Sequence, residues 1–119
     1  MQRYTYATME ALVKSKLNGN ALDTCILDVR GKDEVSSTGT IPTAVHIPLD
    51  QLDAALRKSA EEFSQEYGFT RPSSSQPVVT YCLKGMRAEK AAAILSDHKY
   101  ENVSIYPGSW TEWSENYVK

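Results

Sequence analysis

Residues that bind metals or form disulfides are scarce in this sequence. Its 119 residues include two cysteines, Cys25 and Cys82, and two histidines, His46 and His98. Their spacing matches no zinc-binding motif, and two cysteines are too few for a disulfide framework. Cys25 begins one predicted strand whereas Cys82 follows the end of another, which puts them too far apart for a direct disulfide. We therefore expect no metal and no disulfide.

The sequence also lacks a large excess of charge of either sign and any long apolar run. Thirteen Lys and Arg against fifteen Asp and Glu give a formal net charge of -2, which predicts no general attraction to nucleic acid or anionic membranes. No apolar run approaches the roughly 18 residues of a membrane span, and the N-terminus has no secretory or Arg-rich transit pattern. We expect a cytoplasmic monomer, with a mitochondrial location as the alternative if a transit peptide has been removed.

Short apolar runs rich in β-branched residues alternate with segments of helical periodicity. This alternation predicts an α/β fold in which crossover helices join parallel strands. The length suits one compact domain, which we take as residues 1–119. Strands are expected at 25–29, 44–47, 78–81 and 103–106. Helices are expected from an N-cap at Thr8 to Leu17, over 33–37, from Leu49, around Phe63, after Arg87, and from a Ser109-x-x-Glu112 capping box.

Cys82 falls at the junction between a buried strand and the N-terminus of an Ala-rich helix. Ligands of open α/β sheets bind beyond the carboxyl ends of the strands. Unpaired N–H groups of the first helical turn, together with Lys84 and Arg87, would stabilise a thiolate and bind an anion attached to it. The alternative is that Cys82 is only a small apolar residue at the end of a core strand. Its cationic and glycine neighbours favour the reactive interpretation.

Several short motifs then occur in a characteristic order. They are Leu27-Asp28-Val29-Arg30, Gly39-Thr40-Ile41-Pro42 with 44–48, the loop Cys82–Arg87, and Tyr106-Pro107-Gly108-Ser109-Trp110. In these motifs the sequence resembles the rhodanese-type sulfurtransferases, and within them the small single-domain thiosulfate:glutathione sulfurtransferases. The resemblance implies a rhodanese-like α/β fold, a five-stranded parallel sheet with helices on both faces.

The resemblance also implies a reaction. The Cys82 thiolate would attack the outer sulfur of thiosulfate and release sulfite. A thiol acceptor (glutathione, thioredoxin or another thiol) or cyanide would then remove the sulfur from the persulfide. No cofactor is implied. The expected substrate-binding residues are those of the loop, with Lys84 and Arg87 as the cations that attract the donor: Leu83, Lys84, Gly85, Met86 and Arg87.

The length of the loop separates this chemistry from that of the cysteine phosphatases. Phosphatases use a Cys-x5-Arg loop, whereas this chain has Cys82-x4-Arg87. The shorter loop suits a sulfur atom rather than a phosphoryl group. The remaining alternative is a non-catalytic rhodanese-like module that binds a partner or senses oxidants through an exposed Cys82 thiolate.

Supporting roles are expected for Asp28, Arg30 and Trp110. Asp28 and Arg30 could orient the reactive loop, although Arg30 and Glu34 also have the spacing of an ordinary ion pair. Trp110 could line the mouth of the site or lie in the core. Glu34 departs from the family pattern, since it falls where a two-domain thiosulfate enzyme supplies a substrate-binding arginine.

Overall fold

A parallel sheet forms the centre of the computed structural model, which describes residues 2–118. Within that range it has five strands in the order β1-β5-β4-β2-β3, and each neighbouring pair is parallel. This confirms the predicted five-stranded parallel sheet. The strands are β1 (Gln2–Arg3), β2 (Cys25–Asp28), β3 (Val45–His46), β4 (Val78–Tyr81) and β5 (Val103–Ile105).

Helices cover both faces of the sheet, also as predicted. They are α1 (Tyr6–Leu17), α2 (Lys32–Thr38), α3 (Leu49–Arg57), α4 (Ala60–Tyr67), α5 (Met86–Asp97) and α6 (Ser109–Asn116). Buried side chains of α3, α4 and α5 share one core cluster, whereas those of α1 and α6 belong to the other. The residues of β4 alternate between the clusters, with Val78 in the first and Val79 and Tyr81 in the second.

The ends of two helices differ from the sequence predictions. Helix α1 begins one turn earlier than expected, because Thr5 is the N-cap and Thr8 lies at the third helical position. The Thr5 hydroxyl accepts from the Thr8 N–H at 3.1 Å, and the Thr8 hydroxyl accepts from the Thr5 N–H at 2.9 Å. Two threonines at this spacing allowed either one to be the cap.

The predicted capping box of α6 is wrong. Gly108 is the N-cap and makes no side-chain capping bond. The Ser109 hydroxyl bonds to the backbone of Cys82 and Tyr106 instead, and the Glu112 carboxylate accepts from the Tyr106 hydroxyl at 2.7 Å. Strand β1 was not predicted, since its two exposed residues carry no hydrophobic periodicity.

A buried ion pair joins the end of β2 to the end of α2. The side chains of Asp28 and Arg30 are 0% and 1% exposed, and Arg30 Nη2 lies 2.8 Å from Asp28 Oδ2. The guanidinium also donates to the Thr38 hydroxyl at 3.0 Å and to the Gly39 carbonyl at 2.8 Å. Arg30 therefore pairs with Asp28, and the alternative Arg30–Glu34 ion pair does not form. The pair fixes the segment that follows β2 at the carboxyl edge of the sheet.

Among residues 2–118, no helix is both long and apolar enough to cross a membrane. The same residues contain no group of three or more His, Cys, Asp or Glu side chains arranged to hold a metal ion. Cys25 and Cys82 are both free thiols.

Replacing Asp28 tests how strongly this ion pair stabilises the fold. We expect Asp28→Asn to lower the free energy of unfolding by about 3–5 kcal/mol, because it leaves the Arg30 charge buried without a counter-ion. Urea denaturation measures the change. The control is Glu89→Gln, which breaks the exposed Arg3–Glu89 pair and is expected to cost about 1 kcal/mol or less. Equal losses in the two variants would contradict a stabilising role for the buried pair.

Candidate active site

The loop after β4 lies at the carboxyl edge of the sheet, where the sequence predicted the site. In the sheet register, Asp28 lies opposite Tyr81, and Ile105 lies opposite Thr80. The segments that follow β2, β4 and β5 therefore emerge side by side. This arrangement brings Cys82 close to residues that are distant in sequence.

The Cys82 sulfur lies on the inner side of this loop. The Gly85 N–H donates to Cys82 Sγ at 3.0 Å, and the Ser109 hydroxyl oxygen lies 3.9 Å from the same sulfur. Cys82 is only 1% exposed, so the expectation of an exposed thiolate was wrong. Such burial of the sulfur favours small or slender reactants.

Gly85 is the residue whose conformation shapes the loop. Its φ of +111° is one that side-chain-bearing residues rarely adopt, and it is the N-cap of α5. A Cβ atom added here would lie 2.9 Å from the Pro107 carbonyl oxygen. Glycine at this position therefore permits both the turn that directs its N–H at the sulfur and the close approach to the segment after β5.

The start of α6 holds the loop from the other side. The Cys82 N–H donates to the Ser109 hydroxyl at 3.1 Å, and the Trp110 N–H donates to the Cys82 carbonyl at 2.9 Å. The Thr111 N–H and hydroxyl donate to the Leu83 carbonyl at 3.1 Å and 2.9 Å. These bonds fix the backbone on which the sulfur is carried.

Ser109 is a site residue that the sequence analysis missed. It is fully buried, has a φ of +58°, and donates its hydroxyl proton to the Tyr106 carbonyl at 2.9 Å. The same oxygen accepts from the Cys82 N–H. The Ser-x-x-Glu spacing directed the prediction to a helix cap, and no local signal in the sequence indicates the contact with Cys82.

The two cations of the loop differ in their surroundings. Lys84 is exposed and forms no ion pair within residues 2–118. Arg87 instead forms a two-pronged pair with Glu34, with Nη1–Oε1 and Nη2–Oε2 distances of 2.6 Å and 3.0 Å. Glu34 also accepts from the Gly31 N–H at 3.0 Å. Hydrogen bonding from Arg87 lowers the pKa of Glu34 to about 2, so its carboxylate is charged near neutral pH.

The remaining predicted site residues lie within the loop or beside it. Leu83 is half-buried, whereas Met86 is 74% exposed at the rim. Trp110 places its ring 4.7 Å from the Arg30 guanidinium carbon, where a cation–π contact forms. With Thr38 and Pro42, Trp110 also lines a cavity of about 310 Å³ on the side of α6. Asp28 and Arg30 thus contact the loop indirectly, through Trp110.

Cys25 and the histidines lie outside the site. Cys25 pairs with Val78, at the opposite end of β4 from Cys82, and burial raises the pKa of its thiol to about 11. A His46 ring nitrogen lies 2.7 Å from the Arg30 carbonyl oxygen, and His98 lies 2.8 Å from a carboxylate oxygen of Asp53. The geometry thus combines one cysteine sulfur, a donating backbone N–H and an exposed lysine, which suits nucleophilic chemistry on an anionic sulfur compound.

Comparisons with known proteins agree with this geometry. Residues 9–116 match the rhodanese-like domain family. A thiosulfate:glutathione sulfurtransferase of Saccharomyces cerevisiae is 31% identical over 95% of this chain and 78% of its own. A mitochondrial thiosulfate sulfurtransferase of the same yeast is 34% identical over 92% of this chain and 70% of its own. The structure of a human single-domain sulfurtransferase superposes with a TM-score of 0.88 at 25% identity, covering 99% of each chain.

Fold and relatives together define a sulfur-transferring enzyme, a transferase of the EC 2.8.1 type. The chain belongs to the rhodanese-like domain family, which confirms the resemblance seen in its motifs.

A substitution at Gly85 tests the importance of its conformation. We expect Gly85→Ala to lower the free energy of unfolding by more than about 2 kcal/mol, because it adds a contact with the Pro107 carbonyl to the strain of a positive φ. The rate of sulfur transfer should fall with it, as the N–H moves away from the sulfur. Gly68→Ala is the matched control, since Gly68 has a φ of +78° but no atom within 4 Å of an added Cβ. Equal effects in both variants would show that the Pro107 contact is unimportant.

Two substitutions at Ser109 separate its hydroxyl from its backbone conformation. Ser109→Ala and Ser109→Gly both remove the hydrogen-bond partner of the Cys82 N–H. We expect the unpaired buried groups to lower the free energy of unfolding by about 1–3 kcal/mol in each variant. Only glycine relieves the positive φ, so we expect Ser109→Gly to be more stable than Ser109→Ala by about 1 kcal/mol. Urea denaturation measures both. If the alanine variant matched the native protein in stability and turnover, the hydroxyl would have no positioning role.

Proposed function

We propose that this protein moves the outer sulfur of thiosulfate to a thiol acceptor, with glutathione as the first candidate, through a persulfide on Cys82. The observation that carries the proposal is the 3.0 Å hydrogen bond from the Gly85 N–H to Cys82 Sγ, at the start of α5. The name of the yeast thiosulfate:glutathione sulfurtransferase supports the choice of donor and acceptor. The proposal takes residues 1–119 as one rhodanese domain that acts as a monomer.

In the first half-reaction the Cys82 thiolate attacks the outer sulfur of thiosulfate. A bond forms between the two sulfurs while the sulfur–sulfur bond of thiosulfate breaks, and its electron pair leaves with sulfite. Lys84 attracts the dianionic donor, and the backbone from Leu83 to Arg87 surrounds the transferred sulfur. The persulfide anion replaces the thiolate next to the Gly85 N–H, so the charge at this point is conserved.

In the second half-reaction an acceptor thiolate attacks the outer sulfur of the persulfide. The bond to Cys82 breaks, its electron pair returns to the Cys82 thiolate, and the acceptor leaves as a persulfide. Cyanide would react in the same way to give thiocyanate. Because Cys82 is 1% exposed, a slender thiol such as that of glutathione reaches the sulfur more easily than a cysteine on a protein surface such as thioredoxin's.

Asp28, Arg30 and Trp110 are positioning residues in this scheme. Trp110 donates its backbone N–H to the Cys82 carbonyl, and its ring lies over the Arg30 guanidinium. Asp28 holds that guanidinium through the buried ion pair. None of these side chains needs to touch the donor in order to support the loop.

The compartment remains a prediction. The sequence favours the cytoplasm with mitochondria as the alternative, and the name of the mitochondrial yeast relative supports the alternative.

Sulfite release from thiosulfate tests the proposal, with glutathione, cyanide or no acceptor present. We expect turnover that depends on the acceptor in the native protein and none in Cys82→Ser, because the serine hydroxyl is not ionised near neutral pH. Cys25→Ser is the control and should retain turnover, since Cys25 lies at the far end of the sheet from the loop. An intact-mass spectrum after thiosulfate treatment should show the gain of one sulfur atom on the native protein and on Cys25→Ser, but not on Cys82→Ser. Native protein that is inert with every acceptor would instead favour the non-catalytic binding or redox-sensing module.

A further inference from the structure

Glu34 forms an ion pair with Arg87, a cation that would otherwise be free to bind an anionic donor. Both outer nitrogens of the Arg87 guanidinium are directed at the Glu34 carboxylate, at 2.6 Å and 3.0 Å. The two side chains are each 34% exposed, so the pair lies at the edge of the site rather than in the core. A two-pronged pair of this kind has the same geometry that arginine uses to bind oxyanions.

Arg87 nevertheless lies in the same loop and helix start as Cys82. It is the second residue of α5, two positions after the glycine whose N–H contacts the sulfur. Hydrogen bonding to Glu34 raises the pKa of Arg87. Arg87 therefore belongs to the same helix start as the N–H that contacts the sulfur, while Glu34 holds its guanidinium.

The surroundings of Arg87 add further negative charge. Arg87 lines a cavity of about 330 Å³ together with Gly31, Pro48, Leu49, Val29 and Asp50. Asp50 is the carboxylate and Arg87 the cation among these lining residues. With Glu34 bound to Arg87, this side of the loop carries no net positive charge. Lys84 is then the cation left for a donor.

We propose that Glu34 is a specificity-determining residue, which discriminates against dianionic donors by holding the Arg87 guanidinium. The inference rests on the proposed function, since it concerns the donor of that reaction. A donor that presents the same outer sulfur with a single negative charge, an alkyl thiosulfonate, loses less from this arrangement than thiosulfate does.

The test compares thiosulfate with methanethiosulfonate in the native protein and in Glu34→Gln. Glutamine retains the size of the side chain and an oxygen that can accept from the Gly31 N–H, but removes the charge. We expect the KM for thiosulfate to fall about three- to tenfold and that for methanethiosulfonate to fall less, with kcat little changed. Glu89→Gln is the matched control, because it removes a carboxylate from the same helix as Arg87 without altering the Arg87–Glu34 pair. An equal gain in the control would overturn the proposal in favour of a general charge effect.

A double substitution tests whether Arg87 is the group that Glu34→Gln frees to bind the donor. In the native background Arg87→Gln should raise the KM for thiosulfate less than it does in the Glu34→Gln background, because Glu34 already pairs with the guanidinium. In the Glu34→Gln background the same change should abolish the gain in affinity. Additive effects of the two substitutions would overturn the proposal.

A binding measurement distinguishes failure of this inference from failure of the proposed function. If the native protein releases no sulfite, the proposed function fails, and the inference is decided by calorimetric titration of thiosulfate into Cys82→Ser with and without Glu34→Gln. Tighter binding in the double variant supports the role of Glu34, and equal affinity overturns it. If the native protein turns over but its KM is unchanged by Glu34→Gln, the inference alone fails.

Discussion

The close approach of Gly85 to the Pro107 carbonyl is the contact on which the arrangement of the site depends. It requires a residue without a Cβ at a positive φ, and it brings the loop after β4 against the segment after β5. Helix α5 begins at this turn, and so the turn sets the direction of the N–H that reaches the Cys82 sulfur. The bonds from Ser109 and Trp110 then hold the cysteine backbone from the opposite side. The sulfur is thus positioned by backbone groups that cannot reorient without disrupting two loops.

The two arginines at the site are each neutralised by a carboxylate, so positive charge does not accumulate around the sulfur. Arg30 is neutralised by Asp28 in the core, and Arg87 is neutralised by Glu34 at the edge. In the proposed mechanism, stabilisation of negative charge on the sulfur therefore falls to the Gly85 N–H, the start of α5 and the exposed Lys84. Such a site suits a charge localised on one sulfur atom. A phosphoryl group spreads its charge over several oxygens and would need a free guanidinium to bind them.

The sequence predicted the parts of the structure that local patterns determine. Buried strands, the alternation with helices and the position of Cys82 at the end of β4 follow from periodicity and from the glycine three residues later. The Arg87–Glu34 pair joins residues 53 positions apart, so no local spacing could reveal it. Arg87 itself was the one local signal, because a cation in the first turn of a helix is unfavourable without an anionic partner, and Glu34 is that partner. The contact of Ser109 with Cys82 was not predicted for a different reason. The spacing of Ser109 to Glu112 matched a capping motif, but the Ser109 hydroxyl bonds to Cys82 instead.

The placement of the second cysteine bears on whether Cys82 serves turnover or redox sensing. A thiol sensor that cycles through an intramolecular disulfide needs a resolving cysteine within reach of the oxidised sulfur. Cys25 pairs with Val78, four residues before Cys82 along the strand direction, which corresponds to about 13 Å. Burial also raises the pKa of the Cys25 thiol to about 11, so little of it is the reactive thiolate near neutral pH. Because these are the two cysteines of the chain, a thiol that resolves an oxidised Cys82 must come from another molecule. The acceptor step of sulfur transfer makes the same demand, and the burial of Cys82 favours a small thiol for both.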